Sequence, residues 1–350
     1  MNLIDTGTTN IKLFKGENKK NFTCENKQKK FGADVITRIE KALDKNKKSD
    51  LKDLLRESID EVKRISDTND PCLIIGNSVM HHTYYGLSLE GFRKMPFTLS
   101  KENSKESDDI FLSPISPFIG SDVYPMALKL LDMPEENILA IDFGTNCEMI
   151  LKQGERLFAA SAPAGPAFDR YCPKNSRTII DIDIKGSIIP LYNKEKGDTD
   201  CILPSAFLKL ISFLANIGKI EKNGRLKDVV KLGDFTLDQT MIRELQKAKA
   251  AVESLWKMLL KHYSDDKIPK KILVCGNLVR NIDISVLKEL NLVPDSEIIV
   301  FEDRMEYFLN KIEVYSDQNI YSLMKEKMIT IPHYNMPDFE KCYLKSLNFR

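Results

Sequence analysis

Hydrophobic residues along this chain fall into two kinds of pattern. Apolar positions three and four residues apart predict amphipathic helices, and short continuous apolar runs predict buried strands. The helical pattern covers residues 31–43, 51–65, 122–131, 204–217 and 237–263. The strand pattern covers residues 72–75, 137–142, 147–152, 156–160, 178–182, 188–192, 271–274 and 298–301. Polar residues dominate 16–30 and 100–109, so we predict a loop in the first and an exposed segment in the second.

Both halves of the chain show the same order of elements, with strands followed by a helix, a strand and another helix. Layers of this kind predict an α/β fold. With 350 residues the chain is too long for a single core and suits two domains. Pro134 marks a break before the second group of strands. We therefore predict two lobes, 1–136 and 137–350, with a ligand cleft between them.

Two similar polar turns follow apolar strands, one in each predicted lobe. They are Asp5-Thr6-Gly7-Thr8-Thr9 and Asp142-Phe143-Gly144-Thr145-Asn146. Glycine lets the backbone approach a phosphate closely. Threonine hydroxyls and backbone N–H groups donate to its oxygens, and aspartate holds hydrated Mg²⁺.

A single turn of this type is most often an ordinary hairpin turn. Two copies in matching settings predict a pair that faces one nucleoside triphosphate and clamps it. The predicted phosphate-binding residues are Gly7, Thr8, Thr9, Gly144, Thr145 and Asn146. Asp5 and Asp142 are the predicted catalytic carboxylates, and they would hold Mg²⁺ through water.

Composition narrows the class of protein. Hydrophobic residues make up 42% and charged residues 29% of the chain, as in a soluble globular protein. The formal net charge of +1 gives no basic excess for a nucleic-acid backbone. We expect no signal peptide, because the first residues lack a cationic region and a long apolar region, and no apolar run approaches the length of a membrane span. We predict a cytoplasmic protein that binds neither nucleic acid nor membrane.

The cysteines and histidines give little sign of a metal centre. Seven cysteines occur without a Cys-x-x-Cys pair. This spacing argues against a zinc ribbon, a local iron–sulfur cluster or a secreted disulfide framework. We expect most of these cysteines to be buried, unreactive thiols. His81 and His82 are adjacent, and adjacent residues on a helix point in different directions.

Residues outside the two turns are candidates for the nucleoside side of a site. Gln246 and Lys249 lie three residues apart on the long helix and share one face. They border a nucleoside or belong to a solvated face. Gly276-Asn277 directly follows a buried strand, where glycine admits a flat ring or forms a simple turn.

Three further places in the sequence are candidates for the site, and the first two have two interpretations each. Asp122 stands at the predicted start of a helix, either as an N-terminal cap or partner of the helix dipole, or as a group that orients water or Mg²⁺. Glu148 either supports the water shell of the metal or is an exposed strand residue. Ala164-Gly165 lies in a loop of small residues that lines a ligand.

Taken together, these segments resemble the nucleotide-binding part of the reductive activators of corrinoid proteins. That family belongs to the superfamily of acetate and sugar kinases, heat-shock ATPase chaperones and actin, whose fold is ribonuclease H-like and two-lobed. The resemblance runs through residues 5–9, 31–38, 76–82 with Gly86, 118–122, 141–146 with Glu148, 164–168, 242–251 and 339–349.

The resemblance implies an ATPase that drives an electron onto the cobalt of a corrinoid methyl carrier, converting Co(II) to Co(I). ATP and Mg²⁺ are the implied cofactors, and a corrinoid protein of a methyltransferase system is the implied partner. Family analogy also suggests a homodimer.

The chain departs from the family pattern in three places. A ferredoxin-like domain does not fit before Asp5, so we expect no iron–sulfur cluster here and a separate iron–sulfur electron donor. Ile202-Leu203-Pro204-Ser205 replaces a Gly-Ser-Gly stretch, and one of two expected glycines survives as Gly276. These changes weaken the nucleoside side more than the phosphate side.

Two alternatives remain open. One is a small-molecule kinase of the same superfamily, with Asp122 as a base toward a hydroxyl group. The other is a degenerate nucleotide fold that serves as a docking module for a partner.

Overall fold

The strands and helices form two compact units, and each unit is built from three separate segments of the chain. The computed structural model describes residues 1–16, 19–32, 34–44, 48–100, 108–168, 172, 175–184, 187–312 and 317–349. The first unit contains Met1–Pro134, Glu155–Ala159 and Asp303–Thr330, and the second contains Glu135–Gly154, Ala160–Glu302 and Ile331–Arg350. The segment 303–330, which follows the predicted boundary at 136, thus belongs to the first unit.

The bounds of the elements are as follows. The strands are β1 (Asn2–Thr6), β2 (Asn10–Lys15), β3 (Asn21–Glu25), β4 (Cys72–Gly76), β5 (Ile110–Phe111), β6 (Asn137–Phe143), β7 (Asn146–Gln153), β8 (Arg156–Pro163), β9 (Arg177–Ile184), β10 (Ile188–Tyr192), β11 (Asp200–Ile202), β12 (Val230–Leu232), β13 (Phe235–Leu237), β14 (Lys271–Cys275), β15 (Glu297–Val300) and β16 (Met328–Thr330). The helices are α1 (Val35–Asp44), α2 (Lys48–Ile65), α3 (Ser78–Tyr85), α4 (Tyr124–Asp132), α5 (Pro204–Asn216), α6 (Gln239–Tyr263), α7 (Ile284–Glu289), α8 (Arg304–Ile312), α9 (Asp317–Lys327) and α10 (Phe339–Ser346).

The first unit is built on a five-stranded sheet in the order β3-β2-β1-β4-β5. β1 pairs antiparallel with β2 and parallel with β4, and every residue of β1 is buried. Helix α2 packs on this sheet with Leu55, Ile59 and Val62 in a cluster that includes Ile4 and Ile74. This packing fixes the end of β1, from which the first polar turn leaves.

The second unit repeats the same arrangement. Four of its strands follow the order β15-β14-β6-β7. β6 pairs antiparallel with β7 and parallel with β14, which pairs parallel with β15. The sequence β7-β6-β14-β15 therefore matches β2-β1-β4-β5 strand for strand. The expected duplication into two similar α/β lobes is present in the topology.

Most predicted elements occur within a few residues of their predicted bounds, and 178–182 and 188–192 do pair as a hairpin. The loop predicted over 16–30 was wrong, because it contains the edge strand β3 and a short 3-10 helix at Lys27–Phe31. The exposed segment predicted over 100–109 lies mostly outside the described residues. The long helix begins at Gln239, where the side chain of Asp238 caps it.

The cysteine prediction needs one correction. Cys172 and Cys201 form a disulfide across 29 residues of sequence. Cys24, Cys72, Cys147 and Cys275 are free and buried, as expected of most of the cysteines. In the part of the chain that the structure describes, no helix has both the length and the apolar character needed to cross a bilayer.

Candidate functional site: two glycine-threonine turns

The first turn connects β1 to β2 and is held from beneath by hydrogen bonds to its carbonyl groups. Asn26 Nδ2 donates to the carbonyl oxygen of Gly7 at 2.9 Å, and the backbone N–H of Asn26 donates to that of Thr9 at 3.1 Å. Arg38 Nη2 donates to the carbonyl oxygen of Thr8 at 2.8 Å. Each of these three carbonyls therefore points toward a donor of the same unit.

This arrangement orients the N–H groups of the turn. In a trans peptide the C=O and N–H of one plane point in opposite directions. The carbonyls of Gly7, Thr8 and Thr9 point at their donors, so the N–H groups of Thr8, Thr9 and Asn10 point away from those donors. Successive N–H groups with a common direction form an anion-binding concavity.

Arg38 is the central support of this turn. Its side chain is 1% exposed, and Nε donates to the carbonyl oxygen of Gly32 at 2.9 Å. Burial lowers the pKa of Arg38 to about 10, although Asp34 acts in the opposite direction. Nη1 is buried without a hydrogen-bond partner among the described residues. The fold therefore keeps a costly buried guanidinium at the first turn.

Asp5 forms an ion pair with Arg304, a residue that the sequence patterns did not indicate. Asp5 is 7% exposed, and its Oδ2 lies 3.7 Å from Nη2 of Arg304, the first residue of α8. A cation in the first turn of a helix opposes the helix dipole, so the ion pair with Asp5 compensates for this placement. The positive charge of Arg304 thus stands beside the predicted magnesium carboxylate.

The second turn connects β6 to β7 and is tied to the small-residue loop. The carbonyl oxygen of Thr145 accepts from the N–H of Gly165 at 2.8 Å and of Ala164 at 3.1 Å. Gly144 donates through its N–H to the carbonyl oxygen of Asn146 at 3.2 Å. The structure therefore brings Ala164 and Gly165 against the turn, next to the predicted phosphate residues.

A Gly-Asn pair follows the neighbouring parallel strand in both units, as Gly76-Asn77 after β4 and Gly276-Asn277 after β14. A Cβ built on Gly76 would lie 2.0 Å from Oγ1 of Thr6. One built on Gly276, at φ +105°, would lie 2.3 Å from the carbonyl oxygen of Phe143 and 2.9 Å from Oδ1 of Asp142. These glycines leave room for the polar turns themselves, which differs from the flat-ring contact considered for Gly276.

Asp142 and Glu148 stand opposite one another. They are register partners in the antiparallel pair β6–β7, so their side chains share one face of the sheet. Glu148 Oε1 accepts from Ser161 Oγ at 3.3 Å. Two adjacent like charges destabilise a strand pair, and a cation beside them would relieve that repulsion.

Gln246 and Lys249 share a face, as predicted, but this face is buried against the C-terminal segment. Gln246 is 2% exposed, and its Nε2 donates to the carbonyl oxygens of Asn223 and Leu347. Lys249 is 1% exposed; it pairs with Glu253 and donates to the carbonyls of residues 346 and 348 at 2.9 and 3.0 Å. Both side chains hold the chain end in place.

Asp122 and His82 are also part of the first unit. Asp122 lies in a 3-10 helix, Ser121–Val123, that leads into α4. Among the described side chains none caps either helix start, so the predicted capping role was wrong.

Nδ1 of His82 bonds to the carbonyl of residue 78, and Nε2 accepts from the N–H of Ser100. In the described part of the chain, no three His, Cys, Asp or Glu side chains form a metal-binding group.

Asn277 lines a small cavity inside the second unit. The cavity measures about 220 Å³. Its other walls come from Phe168, from the start of α5 and from Leu278 and Asn281. Leu203, Pro204 and Ser205, where the expected Gly-Ser-Gly is missing, form one wall. The two departures on the nucleoside side therefore line the same space.

Sequence reasoning missed Asn26, Arg38 and Arg304. Arg38 had a usable signal, because it lies three residues after Val35 and four before Ala42 on the buried face of α1. A charged residue on an apolar stripe is rarely buried without a special reason. Asn26 and Arg304 offered no comparable signal, since each depends on a contact with a residue far away in sequence.

Comparison with protein families gives a match that covers the two turns in order. The model described as the RACo middle region matches residues 3–135, and the model described as the C-terminal domain of RACo, the ASKHA domain, matches residues 136–228. The chain belongs to the family of reductive activators of corrinoid proteins. The predicted family and the predicted two-lobed α/β fold class are therefore confirmed.

Two individual proteins illustrate the similarity of this RACo-family chain to others. It is 47% identical over 53 residues to "[Co(II) methylated amine-specific corrinoid protein] reductase" of Methanosarcina barkeri, which covers 15% of this chain and 10% of that protein. A solved structure titled "Reductive activator for corrinoid,iron-sulfur protein" superposes with a TM-score of 0.79 at 19% identity, covering 99% of this chain and 65% of that one. The chain thus spans about two thirds of the solved relative, and the superposition shows the fold.

Proposed function

We propose that this chain is an ATP-dependent activator that supports the reduction of Co(II) to Co(I) in a corrinoid methyl-carrier protein. The observation that carries the proposal is the arrangement of the first turn. Its three carbonyls are bonded to Asn26 and Arg38, so the N–H groups of Thr8, Thr9 and Asn10 point away from these donors, as backbone donors to a phosphate would. The second unit repeats the strand order and the Gly-Thr turn.

In this proposal Thr8, Thr9, Thr145 and Asn146 bind phosphate oxygens, and Ala164-Gly165 supports the second turn. Asp5 and Asp142 hold Mg²⁺ through water. Carboxylates at strand ends fit this ion, because Mg²⁺ is bound by one or two carboxylates together with water and phosphates. Gly276 also fits, since a Cβ at that position would occupy the space of the Asp142 carboxylate.

When bound, Mg²⁺ neutralises charge on the transferred phosphoryl group. The residues of this chain supply position and charge. Backbone N–H groups and threonine hydroxyls orient the phosphates, and the pairing of Asp5 with Arg304 places a second positive charge near the first turn. Hydrolysis then changes the relative stability of two conformations, which is how nucleotide energy drives an uphill step in a partner.

The partner side of the proposal follows from the family. The corrinoid protein belongs to a methyltransferase system, the electrons come from a separate iron–sulfur protein, and the activator works as a homodimer in the cytoplasm.

One observation favours a second candidate, a docking module that has lost nucleotide binding. The cavity beside Asn277, at about 220 Å³, is smaller than the roughly 300–1,000 Å³ of most small-molecule sites. Titration with Mg²⁺–ATP by calorimetry separates the two. Absence of binding at millimolar ATP leaves the docking module.

The direct test follows the cobalt spectrum of a corrinoid protein supplied with an external reductant, with and without ATP. We expect Co(I) to accumulate only when ATP is present. In the Asp5→Asn and Asp142→Asn variants, we expect ATP to produce no accumulation of Co(I). Unchanged ATP turnover in both variants would contradict the proposal. Consumption of ATP with hydroxylated metabolites and no corrinoid protein would point to a kinase instead.

A further inference from the structure

Helix α8 brings a positive charge to the place where the first turn begins. Its buried residues Met305, Phe308 and Ile312 pack within the first unit, and its first residue is Arg304. Nη2 of Arg304 lies 3.7 Å from Oδ2 of Asp5, the first residue of the turn. The two side chains are 20% and 10% exposed. Their charges therefore attract one another at a position that water reaches only in part.

This contact is an ion pair rather than a close hydrogen bond. A charge-assisted hydrogen bond from a guanidinium to a carboxylate is about 2.7–2.9 Å long, and the 3.7 Å between Arg304 Nη2 and Asp5 Oδ2 exceeds that length. Such a pair keeps the guanidinium near the turn without fixing it to one carboxylate oxygen. Arg304 can therefore exchange Asp5 for another anion at the cost of one ion pair.

Asp5 also faces a second cation within the sheet. Lys12 is its register partner in the antiparallel pair β1–β2, so the two side chains share one face of the sheet. The corresponding register pair in the second unit is Asp142 with Glu148, in β6–β7. Equivalent positions beside the two aspartates thus carry opposite charges. The charges around the first turn favour an anion, and those around the second turn favour a cation.

Helix stability does not explain the position of Arg304. A cation in the first turn of a helix opposes the helix dipole, whereas a cation in the last turn is favourable. Lys311, in the last turn of α8, pairs with Asp132 at 2.6 Å. Arg304 thus lowers the stability of α8, and its charge at the first turn offsets this loss.

We propose that Arg304 binds the phosphate tail of the nucleotide at the first turn, where it shares with Mg²⁺ the neutralisation of Asp5 and of the phosphates. The inference rests on the proposed ATP-dependent function. Without nucleotide, the guanidinium neutralises Asp5. A phosphate tail at the N–H groups of Thr8 and Thr9 carries more negative charge than one carboxylate, so it attracts Arg304 more strongly. The planar guanidinium also presents a fork of N–H groups that matches phosphate oxygens.

The proposal predicts two changes of opposite direction in Arg304→Met. The nucleotide loses one charge-assisted phosphate contact, so at saturating Mg²⁺ it should bind about tenfold more weakly. Asp5 and the phosphates also lose a competing cation, so the Mg²⁺ concentration that gives half of the maximal gain in nucleotide affinity should fall about threefold. General damage to the turn would weaken nucleotide binding without lowering this Mg²⁺ requirement.

Isothermal calorimetry with a non-hydrolysable ATP analogue, repeated at a series of Mg²⁺ concentrations, measures both quantities. The matched control is Lys311→Met, which removes a cation from the same helix about 10 Å further along its axis. It should match the unchanged protein within about twofold in both. Arg304→Lys keeps the charge but loses the fork, so it should bind the analogue several-fold more weakly with an unchanged Mg²⁺ requirement. This variant is the test if Arg304→Met does not fold.

The inference is overturned if folded Arg304→Met binds the analogue within about twofold of the unchanged protein, or if its Mg²⁺ requirement does not fall. For Arg304→Lys, the contrary result is an affinity equal to that of the unchanged protein. In these cases the unchanged protein still binds the analogue, and the proposed function stands. If the unchanged protein binds no analogue at millimolar concentration, the proposed function fails and the inference fails with it.

Discussion

Substituting Arg38 tests the stability of the first unit and the geometry of the Asp5–Thr9 turn as two separate quantities. Arg38 is 1% exposed, and its guanidinium donates hydrogen bonds to two carbonyl oxygens, those of Thr8 and Gly32. Replacing it by methionine keeps much of the side-chain volume. It removes both hydrogen bonds and the buried charge in one step.

The two effects on stability oppose one another. Burial lowers the pKa of Arg38 to about 10, and each pH unit is worth about 1.4 kcal/mol, so the buried charge costs on the order of 3 kcal/mol. Each lost charge-assisted hydrogen bond contributes about 1.5–3 kcal/mol. The two bonds together contribute about 3–6 kcal/mol, which the cost of the buried charge largely offsets, so Arg38→Met should change the free energy of unfolding by no more than about 3 kcal/mol. Arg38→Lys should be less stable than Arg38→Met, because it keeps the charge without the fork.

Nucleotide binding should respond differently. Without Arg38 the carbonyl of Thr8 has lost its donor, so the peptide plane that presents the N–H of Thr9 is no longer fixed. Losing one oriented phosphate contact of about 1.5–3 kcal/mol weakens Mg²⁺–ATP binding roughly ten- to a hundredfold. Urea unfolding measures the first quantity and isothermal calorimetry the second.

The matched control is Gln28→Met. Gln28 is fully buried in the same unit, and its Nε2 donates to the carbonyl of Leu51 at 2.9 Å, away from the turn. It should lose stability and keep its ATP affinity. The reasoning is refuted if folded Arg38→Met binds ATP within twofold of the unchanged protein, or if it is destabilised by more than about 4 kcal/mol.

Three further predictions concern single side chains. Burial, with a contribution from His82, lowers the pKa of His81 to about 3. Below pH about 6.5 the unfolded chain therefore binds a proton at His81 that the folded chain does not bind, so the free energy of unfolding falls from there toward pH 3. Thermal melts of His81→Phe should show a weaker dependence of the melting temperature on pH over this range. Lys249→Met leaves Glu253 buried beside only a half-exposed partner, and urea unfolding should show a loss of about 3–5 kcal/mol. In Gly276→Ala the added Cβ meets the carbonyl of Phe143, so this variant should bind ATP more weakly. Gly154→Ala, also at positive φ but in open space, should show only a loss of stability from backbone strain of about 1–3 kcal/mol. Equal ATP affinity in both variants would contradict the steric argument.

The duplicated turns could be read from the sequence because their pattern is local. A strand, a glycine and threonines lie within a few residues, and the same order returns in the second half. The edge strand β3 was missed for the opposite reason, since Cys24 is the one residue of it that is buried. Without an alternating apolar face, a polar edge strand looks like a loop.

Contacts between distant residues set the remaining limits. The shared face of Gln246 and Lys249 was predictable from helix geometry, but the covering segment near Leu347 was not, because a helix pattern does not name its partner. The Cys172–Cys201 bond and the pairing of Asp5 with Arg304 are of the same kind. In each case tertiary structure brings together residues whose spacing carries no signal.

The first unit takes its last pieces, α8, α9 and β16, from residues 303–330. A ribosome must therefore deliver nearly the whole chain before Arg304 can meet Asp5, and such distant pairings form slowly. Until then the N-terminal half of the nascent chain carries the Asp5 carboxylate without its Arg304 partner. We therefore expect chaperone dependence during synthesis and poor recovery of truncated chains that end before residue 330.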